Sequence, residues 1–326
     1  MSVPAPELPR FRLFDAPSPL APLHRLSAAL GGRTEIWVKR EDLLPLAFGG
    51  NKLRNLEFLV GAALADGADT LVTSGRRWSN HCRLTAAAGA RAGLAVELVL
   101  SGPPASVRGP GVVLMTAFGA TVHQLPSLDR DAREAEVARV TRAVVERGGR
   151  PYVIEVGGSG VLGAHGQALA GLELFDQADA VGVAVDRIVV PSATGGTQAG
   201  LIVAAADRSP ATRVAGVIVA RPASELRPAI GSMVRSLNPD NAAGVDADRA
   251  IELDERQLGD GYGRPTAEAG AAADLLAGTE GILVDPIYTA KALASLVSGV
   301  RSGALDGQQV VFWHAGGLPG IFEPLD

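Results

Sequence analysis

The stretch VVPSATGGTQAGL, residues 189–201, decides how the rest of the chain is read. It opens on apolar, β-branched residues without polar alternation, which suits a strand covered on both faces. It closes on an apolar run with helical spacing, and the turn between holds Thr194, Gly195, Gly196 and Thr197. A strand, a tight Gly-rich turn and a helix in so short a space form the repeating unit of a parallel sheet.

The same alternation extends in both directions. EIWVK (35–39), TLVTS (70–74), AVELVL (95–100), ATVHQL (120–125) and YVIEV (152–156) read as strands before it. DRIVVPS (186–192), RVAGVIVA (213–220), GILVDP (281–286) and QQVVFWHA (308–315) continue the series. The expected fold class is α/β with largely parallel sheets. At 326 residues the chain exceeds the usual size of one simple core, yet it contains no internal repeat or long linker. Two lobes must then share the chain by crossing between them, and the glycines at 49–50 and 157–160 mark crossing points. The expected division is a larger lobe from 1–50 and 163–326 and a smaller lobe from 51–162.

Composition narrows the function classes. Hydrophobic residues make up 47%, charged residues 20% and aromatics 4%, so the interior must be built mainly from Ala, Val and Leu. The net charge of −5 offers no basic footprint for a nucleic acid. No apolar run is long enough to span a bilayer, and MSVPAPELPRFRLFDAPSP lacks the apolar centre of a signal peptide, so a cytoplasmic protein without membrane contact is expected. Cys82 is the single cysteine, which excludes an intrachain disulfide, and His24, His81, His123, His165 and His314 lack metal-ligand spacing, so no metal is expected.

Four further places carry chemical groups at turns. In FGGNKLRNLEFL (48–59), Lys52 follows a Gly-Gly-Asn entry and opens a helical pattern, where the helix dipole favours an acid. Either it is a solvated surface lysine, or the dipole and burial lower its pKa and make a neutral amine available as a nucleophile. In SGRRWSNHCRLTAAAGARAGL (74–94), Ser79, Asn80 and His81 open an Ala-rich helix, either as simple caps or as a carboxylate site. The Thr194–Thr197 turn suits a phosphate, but lacks the lysine of a nucleotide P-loop and the pattern of a dinucleotide fold. Tyr262 and Tyr288 each stand where a loop meets a helix start, and VVFWHAGGLPGIF (310–322) ends a strand in a Gly-rich turn. An amine, an anion-binding helix start, a phosphate cradle and two phenols form the set that pyridoxal phosphate requires.

In order along the chain, VKREDL (38–43), FGGNKLR (48–54), SNH (79–81), GGSG (157–160), the 194–197 loop, GYG (261–263), DPIYTAK (285–291) and HAGGLPGIF (314–322) span nearly the whole length. This order resembles the D-cysteine desulfhydrase and 1-aminocyclopropane-1-carboxylate (ACC) deaminase family. The resemblance implies a two-lobed, fold-type-II, tryptophan-synthase-β-like enzyme: a three-layer αβα homodimer with twisted, largely parallel sheets and pyridoxal phosphate between the lobes. Lys52 matches the family's cofactor-binding lysine, Asn80 the partner of the cofactor's ring hydroxyl, and Thr194, Gly195, Gly196 and Thr197 the phosphate loop. Ser79, Asn80 and His81 match the substrate-carboxylate region, and Tyr262 and Tyr288 match phenols that flank the substrate.

The implied activity is α,β-elimination from a small α-amino acid to a keto acid and ammonia, with Lys52, Ser79 and Tyr288 moving protons. Ring opening as in ACC deaminase, β-replacement, or cofactor binding with little catalysis are the alternatives. Three departures stand out. Ala315 replaces a threonine expected at the pyridine nitrogen; either Thr289, where deaminases carry a glutamate, takes over that contact as a cofactor-binding residue, or the nitrogen is left unprotonated. Gly160, His165 and Gln167 replace more usual Asn and aromatic residues. Arg76, Arg77 and Trp78 precede Ser79 in place of small or uncharged residues. At least one of Arg76 and Arg77, with Arg77 taken as the substrate-binding residue, is expected to reach the substrate and pair with a second acidic group, the alternative being that both face solvent or a partner subunit.

Overall fold

The structure is a computed structural model that describes residues 8–103, 109–239 and 246–324. Its strands are β1 (Leu20–Pro22), β2 (Glu35–Arg40), β3 (Thr70–Gly75), β4 (Ala95–Ser101), β5 (Thr121–Leu125), β6 (Pro151–Val153), β7 (Arg187–Ser192), β8 (Arg213–Ile218), β9 (Glu252–Asp254) and β10 (Gln309–His314). They form a six-stranded sheet in the order β1-β2-β10-β7-β8-β9 and a four-stranded sheet in the order β5-β4-β3-β6. Pairing is parallel throughout except between β1 and β2. All four strands of the smaller sheet fall inside the 51–162 block, and those of the larger sheet fall outside it.

Both sheets are covered on both faces, which is why most of their strands are continuous apolar runs. Ile188, Val190, Val311 and Trp313 pack on one face of the larger sheet against helices Val161–Val181, Gly196–Arg208 and Ala223–Leu237. Val189, Val310 and Phe312 pack on the other face against Ala267–Glu280 and Thr289–Arg301. In the smaller sheet, Leu71, Val96 and Leu98 face helices Lys52–Ala65 and Asn80–Ala92, while Val72 and Val99 face Val140 and Val144 of Arg130–Glu146.

Two expected strands differ. GILVDP at 281–286 joins no sheet: Ile282 and Val284 are buried as a strand's would be, but the segment is a loop between two helices. Its Leu283 carbonyl accepts from His314 Nε2 at 2.8 Å instead of from a ladder partner. YVIEV pairs only as far as Val153, because the Ile154 carbonyl accepts the Thr73 hydroxyl at 2.7 Å and the chain then turns into a short 3-10 turn.

In each sheet the strand order reverses once, between β3 and β6 and between β7 and β10. A parallel sheet opens a crevice at the carboxyl ends of strands where its order reverses, and ligands bind there. The two lobes are fastened beside these crevices by a buried ionic cluster. Arg54 on helix Lys52–Ala65 reaches Glu41 at 2.8 and 3.0 Å and Glu173 at 2.7 and 2.8 Å. Lys39 of β2 donates to Glu173 at 2.6 Å and to the Ser18 carbonyl at 2.7 Å. Burial pushes the Glu173 carboxyl up, but Arg54 and Lys39 outweigh it and hold it below its ordinary range.

Candidate active site

The two crevices face one another across a cavity of about 300 Å³. Its wall comes from the turns after β3 (Arg76, Ser79, Asn80, His81), β6 (Val156, Gly157), β7 (Ala193, Thr194, Gly195), β8 (Ala220, Arg221) and β10 (Ala315, Gly316). Lys52 also lines it, as the first residue of helix Lys52–Ala65.

The chain reaches Lys52 through four successive residues with positive φ: Ala47 (50°), Phe48 (65°), Gly49 (64°) and Gly50 (128°). Glycine adopts this region freely, but a side chain there is strained, so Ala47 and Phe48 need an outside hold. Arg83, buried in helix Asn80–Ala92, supplies it by donating to the Ala47 carbonyl, to the Gly49 carbonyl at 3.3 Å and to Asn80 Oδ1 at 3.2 Å. Asn51 closes the other side: its N–H donates to the Ala315 carbonyl at 3.0 Å, its Nδ2 donates to Thr197 Oγ1 at 2.9 Å, and its carbonyl accepts from Gln167 at 2.7 Å. Lys52 is thereby fixed relative to the 194–197 turn. Burial, with no carboxylate to offset it, lowers its amine to about 8.

Thr194, Gly195 and Thr197 line the cavity at the start of helix Gly196–Arg208, where free N–H groups and the dipole favour an anion. Gly195 has φ of 87°, and a Cβ there would strike Ile230. Gly196 stands behind them against Ser159, whose hydroxyl ties the turn to GGSG by donating to the Thr194 carbonyl at 3.1 Å. Ser192, at the end of β7, has a buried hydroxyl with no hydrogen-bond partner and also faces the cavity.

Across the cavity, Ser79 caps helix Asn80–Ala92: its Oγ accepts from Cys82 N at 3.2 Å, leaving the hydroxyl proton uncommitted. Thr73 gives its one proton to Ile154, so His81 Nε2, 2.9 Å from the same oxygen, carries the ring proton, and Nδ1 is a bare acceptor without a partner. Burial, helped by the nearby Lys52 charge, lowers His81 to about 3 and keeps the ring neutral.

Tyr262 and Tyr288 both line the cavity, hydrogen-bonded hydroxyl to hydroxyl, with ring centroids 6.0 Å apart. Burial raises both phenols, so each remains a proton donor at neutral pH. Lys291, unremarked in the sequence, holds the Tyr262 loop by donating to the Leu258 carbonyl at 2.8 Å.

Two expected site residues lie elsewhere. Thr289 is fully buried away from the cavity wall, its hydroxyl donating to Asp285 Oδ2 at 2.5 Å. Asp285 accepts as well from the backbone of Ile287, Tyr288 and Thr289, so Thr289 belongs to a helix cap. Arg77 turns outward to the Pro324 carbonyl at 2.5 Å and Glu323 at 3.5 Å, because the turn after Gly75 sends consecutive side chains opposite ways. Arg76 is the arginine that enters, stacked 5.6 Å over Trp78 and 5.7 Å over Tyr262. Arg130 and Arg133, from a helix of the smaller sheet, and Arg221 join it in the wall. No Asp or Glu lines the cavity among the described residues.

Known proteins are similar to this chain in sequence and in fold. Residues 11–316 match the family described as pyridoxal-phosphate dependent enzymes. The chain is 39% identical over 320 residues to a D-cysteine desulfhydrase of Klebsiella pneumoniae (strain 342), covering 96% of this chain and 95% of that one. A D-cysteine desulfhydrase of Salmonella typhi is 38% identical over the same length, again covering 96% and 95%. Among solved structures, an ACC deaminase homologue superposes with a TM-score of 0.87 at 32% identity, covering 97% of this chain and 94% of that one. A threonine deaminase from T.th. superposes with a TM-score of 0.66 at 25% identity, covering 92% of each.

Proposed function

The chain belongs to the pyridoxal-phosphate-dependent enzymes, and from that premise we propose that it eliminates a β-substituent from a small α-amino acid, yielding a keto acid and ammonia. It is a lyase whose relatives of similar length include D-cysteine desulfhydrases. One observation carries the reading: an amine of lowered pKa, an anion cradle and a second helix start open into the same cavity of about 300 Å³. The wall also suits the cofactor chemically. Ser192 Oγ and His81 Nδ1 are buried polar atoms without a protein partner, and the turn at Thr194, Gly195 and Thr197 presents free N–H groups of a helix start.

Bound there, pyridoxal phosphate supplies an electron sink for the pair released at the substrate's Cα. Thr194, Gly195, Gly196 and Thr197 are the groups for its phosphate, Lys52 for its covalent attachment, and Asn80 for its ring hydroxyl. The start of helix Asn80–Ala92, with Ser79, Asn80 and His81, offers first-turn N–H groups to the substrate carboxylate. With an amine near 8, roughly a quarter of Lys52 is neutral at about pH 7.5, enough for Nζ to take the α-proton. Tyr288, kept protonated and hydrogen-bonded to Tyr262, can give a proton to the departing β-group, and the uncommitted Ser79 proton can pass between carboxylate and base. The substrate loses HX across Cα–Cβ, and water then releases the amino group as ammonia.

The cavity wall holds no acidic side chain that would serve the pyridine nitrogen as a deaminase's glutamate does, which favours elimination over ring opening. We place the protein in the cytoplasm as a homodimer. Leu43, Phe48, Leu283 and Phe322, 54, 55, 50 and 71% exposed, are apolar side chains that a second copy could cover. No helix among the described residues is long and apolar enough to cross a membrane. Light scattering gives the oligomeric state.

The deciding experiment incubates the holoenzyme with both enantiomers of cysteine and β-chloroalanine and measures keto acid and ammonia. Equal yields of the two, abolished by Lys52→Ala together with borohydride-stable cofactor attachment, are expected. Consumption of substrate without keto acid, or products in which an added thiol has replaced the β-group, would overturn elimination.

A further inference from the structure

The wall is more positive than a cofactor phosphate and one substrate carboxylate require, since Arg76, Arg130, Arg133 and Arg221 accompany Lys52 with no carboxylate among them. Their positions divide them. Arg221 follows β8, the strand beside β7 and its phosphate turn, and Arg130 is half exposed and paired with Glu225 at 3.3 Å. Arg76 and Arg133 remain. Arg76 sits over Trp78 and Tyr262, and among the described residues its guanidinium makes only a long 3.4 Å hydrogen bond, to the Ser101 carbonyl. Arg133 has a buried Nε without an acceptor, and no carboxylate lies within ion-pair distance of either guanidinium among the described residues.

We propose that Arg76 and Arg133 bind a second anionic group carried on the substrate's β-substituent, a recognition that rests on the lyase reading above. The α-carboxylate already has the Ser79–Asn80–His81 helix start, so a second anion is needed to complete these two guanidinium forks. Desolvation lowers Arg76, and Arg133 adds like-charge repulsion to it, so an anion entering between them relieves a cost that a neutral β-group leaves in place. The phenols of Tyr262 and Tyr288 stand beside the same spot as donors to the departing group. In the step itself the Cα–H proton goes to Lys52, the C–H pair forms the Cα–Cβ double bond, and the β-substituent leaves with the Cβ–X pair. A sulfinate or sulfonate leaves as an oxidised-sulfur anion and an S-carboxymethyl group as a thiolate, so no oxidant or reductant enters.

The test compares kcat/KM of the holoenzyme for cysteine sulfinate, cysteate and S-carboxymethylcysteine with that for β-chloroalanine, both enantiomers of each. Calorimetry adds the affinities of unreactive succinate and 3-sulfopropanoate against propanoate. At least one anionic substrate and its matching dianion are expected to be favoured by about tenfold or more, a ratio that falls about tenfold in Arg76→Gln and Arg133→Gln and partly returns with lysine. The sulfur oxyanion arms and the carboxymethyl arm identify which anion is meant. Brisk β-chloroalanine turnover with no anionic preference, or a preference untouched by both variants, overturns this inference and leaves the lyase reading standing. Tight, arginine-dependent dianion binding without turnover of any β-substituted amino acid upholds the anion site and overturns the lyase reading.

Discussion

Lys52→Met should stabilise the cofactor-free protein at neutral pH, and the gain should disappear in alkali. The amine is lowered from an ordinary 10.5 to about 8 by burial alone. That difference corresponds to about 3 kcal/mol of charge desolvation, and since one side of the amine faces the cavity we expect about 1–3 kcal/mol. Below about pH 8 the amine is charged in folded and unfolded chains alike, and the folded state bears the whole cost. Between about 8 and the unfolded value of 10.5, the unfolded chain binds the extra proton, so wild-type stability climbs with pH. Above that window both states are neutral and the cost is gone. Urea unfolding of the two cofactor-free proteins from about pH 6.5 to 10.5 isolates this one group, because every other titration cancels in the difference. A methionine variant no more stable at pH 7, or a stability difference independent of pH, refutes the claim that Lys52 is held desolvated and unpaired.

Two further outcomes follow from buried polar atoms. Arg54→Met strands Glu41 and weakens Glu173, and should cost about 3–5 kcal/mol in urea unfolding, with part of the loss recovered when Glu41→Gln is added. Ser192→Ala removes a buried hydroxyl that has no protein partner, so the cofactor-free protein should be equally stable or gain about 1 kcal/mol while its affinity for pyridoxal phosphate falls about tenfold in a fluorescence titration. Unchanged cofactor affinity would remove Ser192 from the site.

What the sequence displayed was local. VVPSATGGTQAGL, TLVTSGRRWSN and FGGNKLR each place a strand or an entry, a turn and a helix start within a few residues, so the turn chemistry was visible without the fold. The arginine face was not, because Arg133 and Arg221 come from a helix and a strand end far from Arg76 in sequence. Arg76 and Arg77 were indistinguishable by type and spacing, and only the direction of one turn sends Arg77 to Glu323. Thr289 was claimed by Asp285, four residues earlier, through a cap that leaves no period in the sequence. GILVDP is an apolar run like the buried strands but has no neighbour to pair with, and such a run records burial, not pairing.

Lys39, Glu41 and Arg54 stand in VKREDL and FGGNKLR, the segments on which kinship is easiest to recognise, and all three belong to the buried ionic cluster that clamps one lobe to the other. Arg76 and Arg133, in the wall of the cavity, fall outside those segments, so the charge of that wall can change while the fastening stays the same. For enzymes built this way, sorting sequences by the charge of the residues after β3 and along helix Arg130–Glu146 should separate substrate preferences that overall identity merges.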